Sequence, residues 1–160
     1  MEGVGAAASV IAVIQLTQEV YKLCQSYVLS VKNARRDIDL LCKEVMDLHD
    51  VLETLDNWLQ GTDASESLIL SKLKESSGGP LYLCQKELKS IKEILETYTS
   101  PTGPEGQQMM KRVGMRALKW PFSERDLKAK INTLQKGKDS LNLALTAENT
   151  YVNELSTDTD

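Results

Sequence analysis

A single histidine, His49, is all the imidazole this sequence offers, and with it stand only three cysteines, Cys24, Cys42 and Cys84. Structural zinc needs four ligands at characteristic spacings, and there is no CxxC pair, so no metal site is expected. The cysteine number is odd, and the thiols read as small apolar residues in a reducing compartment. Nucleophilic catalysis would have to recruit His49, which falls in mid-helix on a polar side with acidic neighbours and reads as an exposed residue rather than a poised base. A P-loop is missing too, because "SSGGP" and "TGPEG" lack both the lysine and a preceding strand. No Glu-x-x-His motif is present to build an inward-facing di-metal site. These absences predict a protein that is not an enzyme and carries no cofactor.

Aromatic residues are also scarce, at 5%, with one phenylalanine. The core must be built from Leu, Ile, Val and Ala, which suits helices better than a β-sandwich, and no strand-like alternation of any length occurs. The net charge of −4 argues against nucleic acid as a partner. At 160 residues the chain is the size of one domain with a real core.

The beginning of the chain lacks charge. "GVGAAASVIAVI" (3–14) is followed by further uncharged residues up to Glu19. A secretory signal has a basic start and small residues after its apolar core; here the small residues come first and the one preceding charge is the acidic Glu2. The uncharged run, residues 3–18, would reach about 24 Å as a helix, short of the roughly 30 Å hydrocarbon layer, so a permanent span is not expected.

Helical periodicity fills most of the chain. A first helix is predicted over 4–31, with Leu16, Val20, Cys24, Tyr27 and Val31 on one stripe. In the second, Ala34, Ile38, Leu41, Val45, Leu48, Leu52, Leu55 and Leu59 alternate spacings of four and three, a heptad seam. Asp37, Lys43, Glu44, Asp47, Asp50 and Glu53 lie opposite and read as a solvated ridge. A short helix is expected over 66–75, between the breaks "GTDAS" and "SSGGP". Another starts near Leu81 and carries a second seam, Leu81, Cys84, Leu88, Ile91, Leu95 and Tyr98. "SPTGPEG" ends it. A last long helix opens at Ser123 in "SERD", a capping-box pattern, and aligns Leu127, Ile131, Leu134, Leu141 and Leu145. Gly137 would weaken its middle by about 1 kcal/mol relative to Ala. The chain turns polar after Tyr151. The fold class is therefore all-α: an antiparallel four- to five-helix bundle with long first and last helices and short connectors. Residues 1–151 form the bundle domain, and 152–160 a polar tail or linker toward a downstream module.

One stretch departs from the acidic average. Between Gln107 and Ser123 every charge is positive, Lys111, Arg112, Arg116 and Lys119, interleaved with Met109, Met110, Val113, Met115, Leu118 and Trp120. At an anionic membrane surface each cation contributes about 1 kcal/mol, and Trp120 suits the interface. The alternative is a lead-in segment that packs on the bundle and pairs with the acidic second helix.

"GAAASVIAVIQLTQEVYKLCQSYVLSVKNARRDIDLL", "LHDVLETL" and "KRVGMRALKWPFSERDLKAKINTLQKGKDSLNLAL" together resemble the HeLo-like N-terminal domain of fungal STAND proteins, counterparts of NOD-like receptors. "SVIAVIQLT" and "RALKWPF" are the most specific parts. That family is related to the HeLo and HELL cell-death domains and to the four-helix bundle of the mixed-lineage kinase-like necroptosis executor. The resemblance implies an immune-type effector that, after self-association, targets membranes through its first helix and induces cell death or heterokaryon incompatibility. It also implies a downstream nucleotide-binding and repeat module, and a cytoplasmic protein that moves to the plasma membrane on activation.

Carried onto this chain, the candidate membrane-contacting residues are Gly3, Val4, Gly5, Val10, Ile11, Val13 and Ile14 in the first helix, with Lys111, Arg112, Arg116, Lys119 and Trp120 facing anionic lipids. The seam Ile38, Leu41, Val45, Leu48, Leu52, Leu55, Leu88, Ile91 and Leu95 would hold the resting bundle. The competing expectation is a non-lytic protein-interaction bundle.

Overall fold

The computed structural model describes residues 2–30, 34–61, 79–99 and 120–157, with side chains described for 8–28, 34–60, 79–97 and 120–147. Four helices occur there: α1 (Glu2–Ser30), α2 (Arg35–Gly61), α3 (Pro80–Thr99) and α4 (Glu124–Thr157). No strand is found among the described residues. The helix expected over 66–75 and the basic residues Lys111, Arg112, Arg116 and Lys119 lie outside them.

The starts of the helices have local causes. Ala34 O accepts from Ile38 N at 2.9 Å and opens α2. Pro80 occupies the first helical position of α3, where its missing N–H costs nothing and its fixed φ is already helical. Ser123 Oγ accepts from Asp126 N at 3.1 Å, the N-cap bond anticipated by "SERD". Glu124 and Asp126 then place negative charge at the positive end of the α4 dipole. α4 continues to Thr157, past Tyr151, where the polar composition predicts its end.

The helices close into a square in which α1 packs on α2 and α3, and α4 packs on α3 and α2. Cross-contacts give the directions. Thr17 meets His49 while Gln25 meets Cys42, so α1 and α2 are antiparallel. Lys130 meets Glu87 while Gly137 meets Cys84 and Pro80, so α3 and α4 are antiparallel. Chain direction alternates from helix to helix, and the diagonal placement of α2 and α3 leaves two neighbouring pairs, α1 with α3 and α2 with α4, running the same way.

The seams meet in the centre. Ile38, Leu41, Val45, Leu48, Leu52 and Leu55 of α2 and Leu88, Ile91 and Leu95 of α3 are buried, with Leu127, Leu134, Leu141 and Leu145 of α4. Burying one such side chain is worth about 1.5–3 kcal/mol. At the end of the bundle where α1 and α3 finish and α4 begins, Trp120 stands edge-on to Tyr27 (5.4 Å between centroids) and to Phe122 (5.1 Å). The Tyr27 hydroxyl donates to Leu95 O at 2.9 Å.

Gly137 is not a weak point of α4. It occupies a seam position between Leu134 and Leu141 and is buried. A Cβ there would lie 2.2 Å from Cys84 Sγ and 3.4 Å from Pro80 O. The missing side chain lets α3 approach and gives Cys84 its place, so the propensity cost anticipated for the isolated helix is offset by packing.

Candidate functional site

The first helix is the element to which the sequence assigns function, so its seating defines the candidate site. Val10, Val13, Leu16, Val20, Cys24 and Tyr27 are buried against α2 and α3. Ile14 packs partly on the core, and Ile11 is 42% exposed. Ala8, Ser9, Gln15 and Gln18 are exposed beside it. The outward face of α1 from 8 to 18 is therefore uncharged, whereas α2 and α3 present Arg35, Arg36, Lys43, Lys86 and Lys89 among their exposed residues. Gly3, Val4 and Gly5 belong to α1, but their side chains lie outside the described set.

Polar contacts fasten this helix at several depths. Thr17 is fully buried within the seam, a position the apolar stripe had passed over in favour of Leu16. Its hydroxyl donates to Ile14 O at 2.5 Å. The oxygen is then left to accept, so His49 Nδ1, 3.0 Å away, is the donor. His49 Nε2 lies 3.1 Å from Glu53 Oε1, an ion pair when the ring carries its second proton. His49 is only 8% exposed, not a solvated residue as its acidic neighbours suggested, because α1 lies over it.

Two turns further on, the antiparallel register set by the Thr17–His49 and Gln25–Cys42 contacts brings Cys24 of α1 near Cys42 of α2. The interaction with Cys42, together with burial, pushes the Cys24 thiol up. Cys42 is held below its ordinary value, chiefly by its interaction with Cys24, against the opposing effects of burial and Asp39. Gln25 Nε2 approaches Cys42 Sγ at 4.0 Å. Toward α3, Lys92 Nζ pairs with Glu19 Oε2 at 2.7 Å, and hydrogen bonding to that carboxylate raises the lysine above its ordinary value.

A second set of charges ties α4 to its neighbours. Glu44, expected on a solvated ridge, is 6% exposed. Its Oε1 lies 3.0 Å from Lys138 Nζ, an ion pair without hydrogen-bond alignment, while Oε2 accepts from Gln135 Nε2 at 3.2 Å. Lys130 Nζ donates to Glu87 Oε1 and Ser90 Oγ, both at 3.1 Å. Burial and the charge of Glu44 push the Cys84 thiol up to about 12. Among the described residues no group of three metal-ligating side chains converges.

Trp120, the aromatic member of the candidate lipid contact, is half-buried in the Tyr27–Phe122 cluster. Its Nε1 is buried with no hydrogen-bond partner among the described residues. The structure thus draws Trp120 to the far end of α1, while Val10 and Val13 point into the core. Nothing in the sequence pattern singled out Thr17 or the nearness of Cys24 to Cys42, since both depend on how α1 is rotated against α2. No helix among the described residues is long and apolar enough to cross a membrane.

No curated protein and no solved structure matches the chain. The model of the family described as pigment biosynthesis cluster protein PigL N-terminal matches residues 1–159. This match spans the whole bundle and the helix that closes it, and the chain belongs to the PigL N-terminal family.

Proposed function

We propose that this bundle is an N-terminal effector domain of fungal immune-type receptors, whose first helix is released after self-association to engage anionic membranes. The observation that carries the reading is the uncharged outward face of α1, Ala8, Ser9, Ile11, Gln15 and Gln18. A helix at the surface of a bundle ordinarily turns charge toward water, whereas from 8 to 18 α1 turns none, and exposed charge follows at Glu19 and Lys22. In lipid the same face would present small and neutral residues that allow close helix contacts, and Gln15 and Gln18 would find polar partners in an oligomer. The cations Lys111, Arg112, Arg116 and Lys119 supply the electrostatic contact, and the resemblance to HeLo-like domains supports cell-death induction as the outcome.

Dye leakage from vesicles rich in anionic lipid tests this on the full chain, with and without forced dimerisation. Deleting residues 1–16 is a poor control, because it removes Val10, Val13 and Leu16 from the core. Ile11→Glu with Gln15→Glu charges only exposed positions and should leave the melt within about 0.5 kcal/mol of wild type while abolishing leakage. Replacing the four cations with Gln should weaken vesicle binding. Absence of binding and leakage at every lipid composition, dimerised or not, refutes the reading.

The absence of a spanning helix among the described residues favours a second reading, a non-lytic interaction module. It expects a stable self-complex or partner complex on size exclusion that is indifferent to lipid.

A further inference from the structure

Five large apolar side chains are exposed among the described residues, Ile11, Leu40, Tyr82, Leu83 and Leu143, and three of them gather at one corner of the square. α1 and α3 run the same way, and the Glu19–Lys92 and Tyr27–Leu95 contacts set their register. That register places Ile11 level with the first turn of α3, where Tyr82 and Leu83 stand. Tyr82, Lys86 and Lys89, spaced by four and three, share an outward stripe of that helix. Both lysines are exposed, and neither has an acidic partner among the described residues. The one acid of this segment, Glu87, has a side chain only 19% exposed and is tied to Lys130. Charge then reverses along α3: beyond Lys92, which pairs with Glu19, the exposed charges are Glu93 and Glu96. α2, diagonal to α3, carries the exposed Asp50 and Glu53 at the same end as Ile11. The corner made by the start of α3 and the uncharged face of α1 therefore joins cations to apolar side chains and turns no acid outward.

We infer that this corner seats the intact bundle on an anionic bilayer while α1 is still docked. The inference rests on the membrane reading proposed above, and adds to it the face of first contact and the orientation. Lys86 and Lys89 meet the anionic headgroups, with their alkyl stems along the apolar surface. Tyr82 takes the level between headgroups and chains that suits an amphipathic ring, with Leu83 and Ile11 beside it. Charge complementarity selects lipid as the occupant, because the protein supplies neither lysine with an acid. Glu93 and Glu96 on α3, and Asp50 and Glu53 on α2, are repelled by the same surface. They turn the second half of α3 and the α2 side of the bundle away from it. α1 and α3 begin at the same end, so this pose brings the start of α1 to the lipid before it leaves the core.

Cosedimentation of the full chain, without forced dimerisation, with vesicles of mixed phosphatidylserine and phosphatidylcholine tests this. Wild type should bind these vesicles and not pure phosphatidylcholine. Lys86→Gln with Lys89→Gln should lower partitioning about 10- to 30-fold, since each cation at an anionic surface is worth about fivefold. Lys43→Gln with Lys136→Gln removes two exposed cations from α2 and α4 and should change it less than about threefold, because screening confines the attraction to charges at the surface. All four lysines are exposed, so neither double variant should shift the melting temperature. Monomer binding that never leads to leakage, even on dimerisation, refutes release of α1 and leaves the seat standing. Leakage with unchanged binding in the Lys86–Lys89 variant refutes the seat alone. Equal losses in the two double variants, no binding by wild type, or a lipid-independent self-complex that the Lys86–Lys89 change dissolves each overturns the inference.

Discussion

At the scale of single residues, Gly137 and Cys84 show how packing reverses a local rule. Helix propensity alone says that Gly137→Ala should stabilise α4 by about 1 kcal/mol. The 2.2 Å approach of the new Cβ to Cys84 Sγ says the opposite. Overpacking of this kind costs about 1–3 kcal/mol, so Gly137→Ala should lower the urea midpoint with an unchanged slope. In a Cys84→Ala background the sulfur is gone, and the nearest remaining atoms, Pro80 O at 3.4 Å and the residue-84 Cβ at 3.8 Å, tolerate a methyl group. There Gly137→Ala should become neutral or stabilising, and a double-mutant cycle reads that change of sign.

The Cys84 thiol makes a second prediction. Its folded value of about 12 lies above the ordinary thiol value of 9.0, so the folded state holds its proton where the unfolded state has lost it. The contribution is fully present below pH 9 and is lost as pH rises toward 12. Stability should fall more steeply over that window in wild type than in Cys84→Ala.

At the scale of helices, α4 is bound by charge and α1 mostly by neutral contacts. Glu44→Ala leaves the Lys138 ammonium, whose side chain is 17% exposed, with Asp47 Oδ2 at 3.9 Å as its remaining acidic neighbour. Breaking a buried pair from one side costs about 3–5 kcal/mol, and the partial exposure of Lys138 puts the expected loss near the lower end. Glu44→Leu with Lys138→Met removes both charges and should recover most of it, which denaturant titration of the three variants will read.

This pair also marks the limit of what the sequence discloses. The heptad spacing of α2 and α3 made their inward faces legible, because seven-residue periodicity survives whatever the partner helix is. The "SERD" cap was legible for the same reason, being settled within four residues. Glu44, His49 and Thr17 were not, because each is buried by a different helix far away in the chain. A carboxylate on the polar side of α2 becomes interior only when Gln135 and Lys138 arrive from α4, and no periodicity within α2 carries that information. The lone proton of Thr17, spent on Ile14 O, likewise fixes the His49 donor only once α1 has docked.

At the scale of the molecule, the square of helices makes α1 a wall of the core rather than an appendage. Its departure would uncover the faces of α2 and α3 it shields, an apolar area that no monomer in water exposes without large cost. Release is therefore expected to require a partner surface that replaces those contacts, which fits activation by self-association. The bundle is nonetheless not uniformly fastened. α4 holds its neighbours through Glu44–Lys138 and Lys130–Glu87, both with little exposure. α1 relies on the Thr17–His49 bond, the Tyr27 hydroxyl on Leu95 O, and a Glu19–Lys92 pair whose acid is 49% exposed. Exposed pairs contribute about 0–1 kcal/mol, so the two neutral bonds matter more for α1 than any charge does. Thr17→Val with Tyr27→Phe removes both, leaves His49 Nδ1 and Leu95 O without these partners, and should cost about 2–4 kcal/mol. If α1 can leave ahead of the rest, native-state hydrogen exchange in this variant should speed up roughly 30- to 1000-fold across 10–28, with a much smaller change across 134–145 of α4. Equal acceleration in both helices would mean that the bundle opens only as a whole, and α1 could not then act as a separately released element.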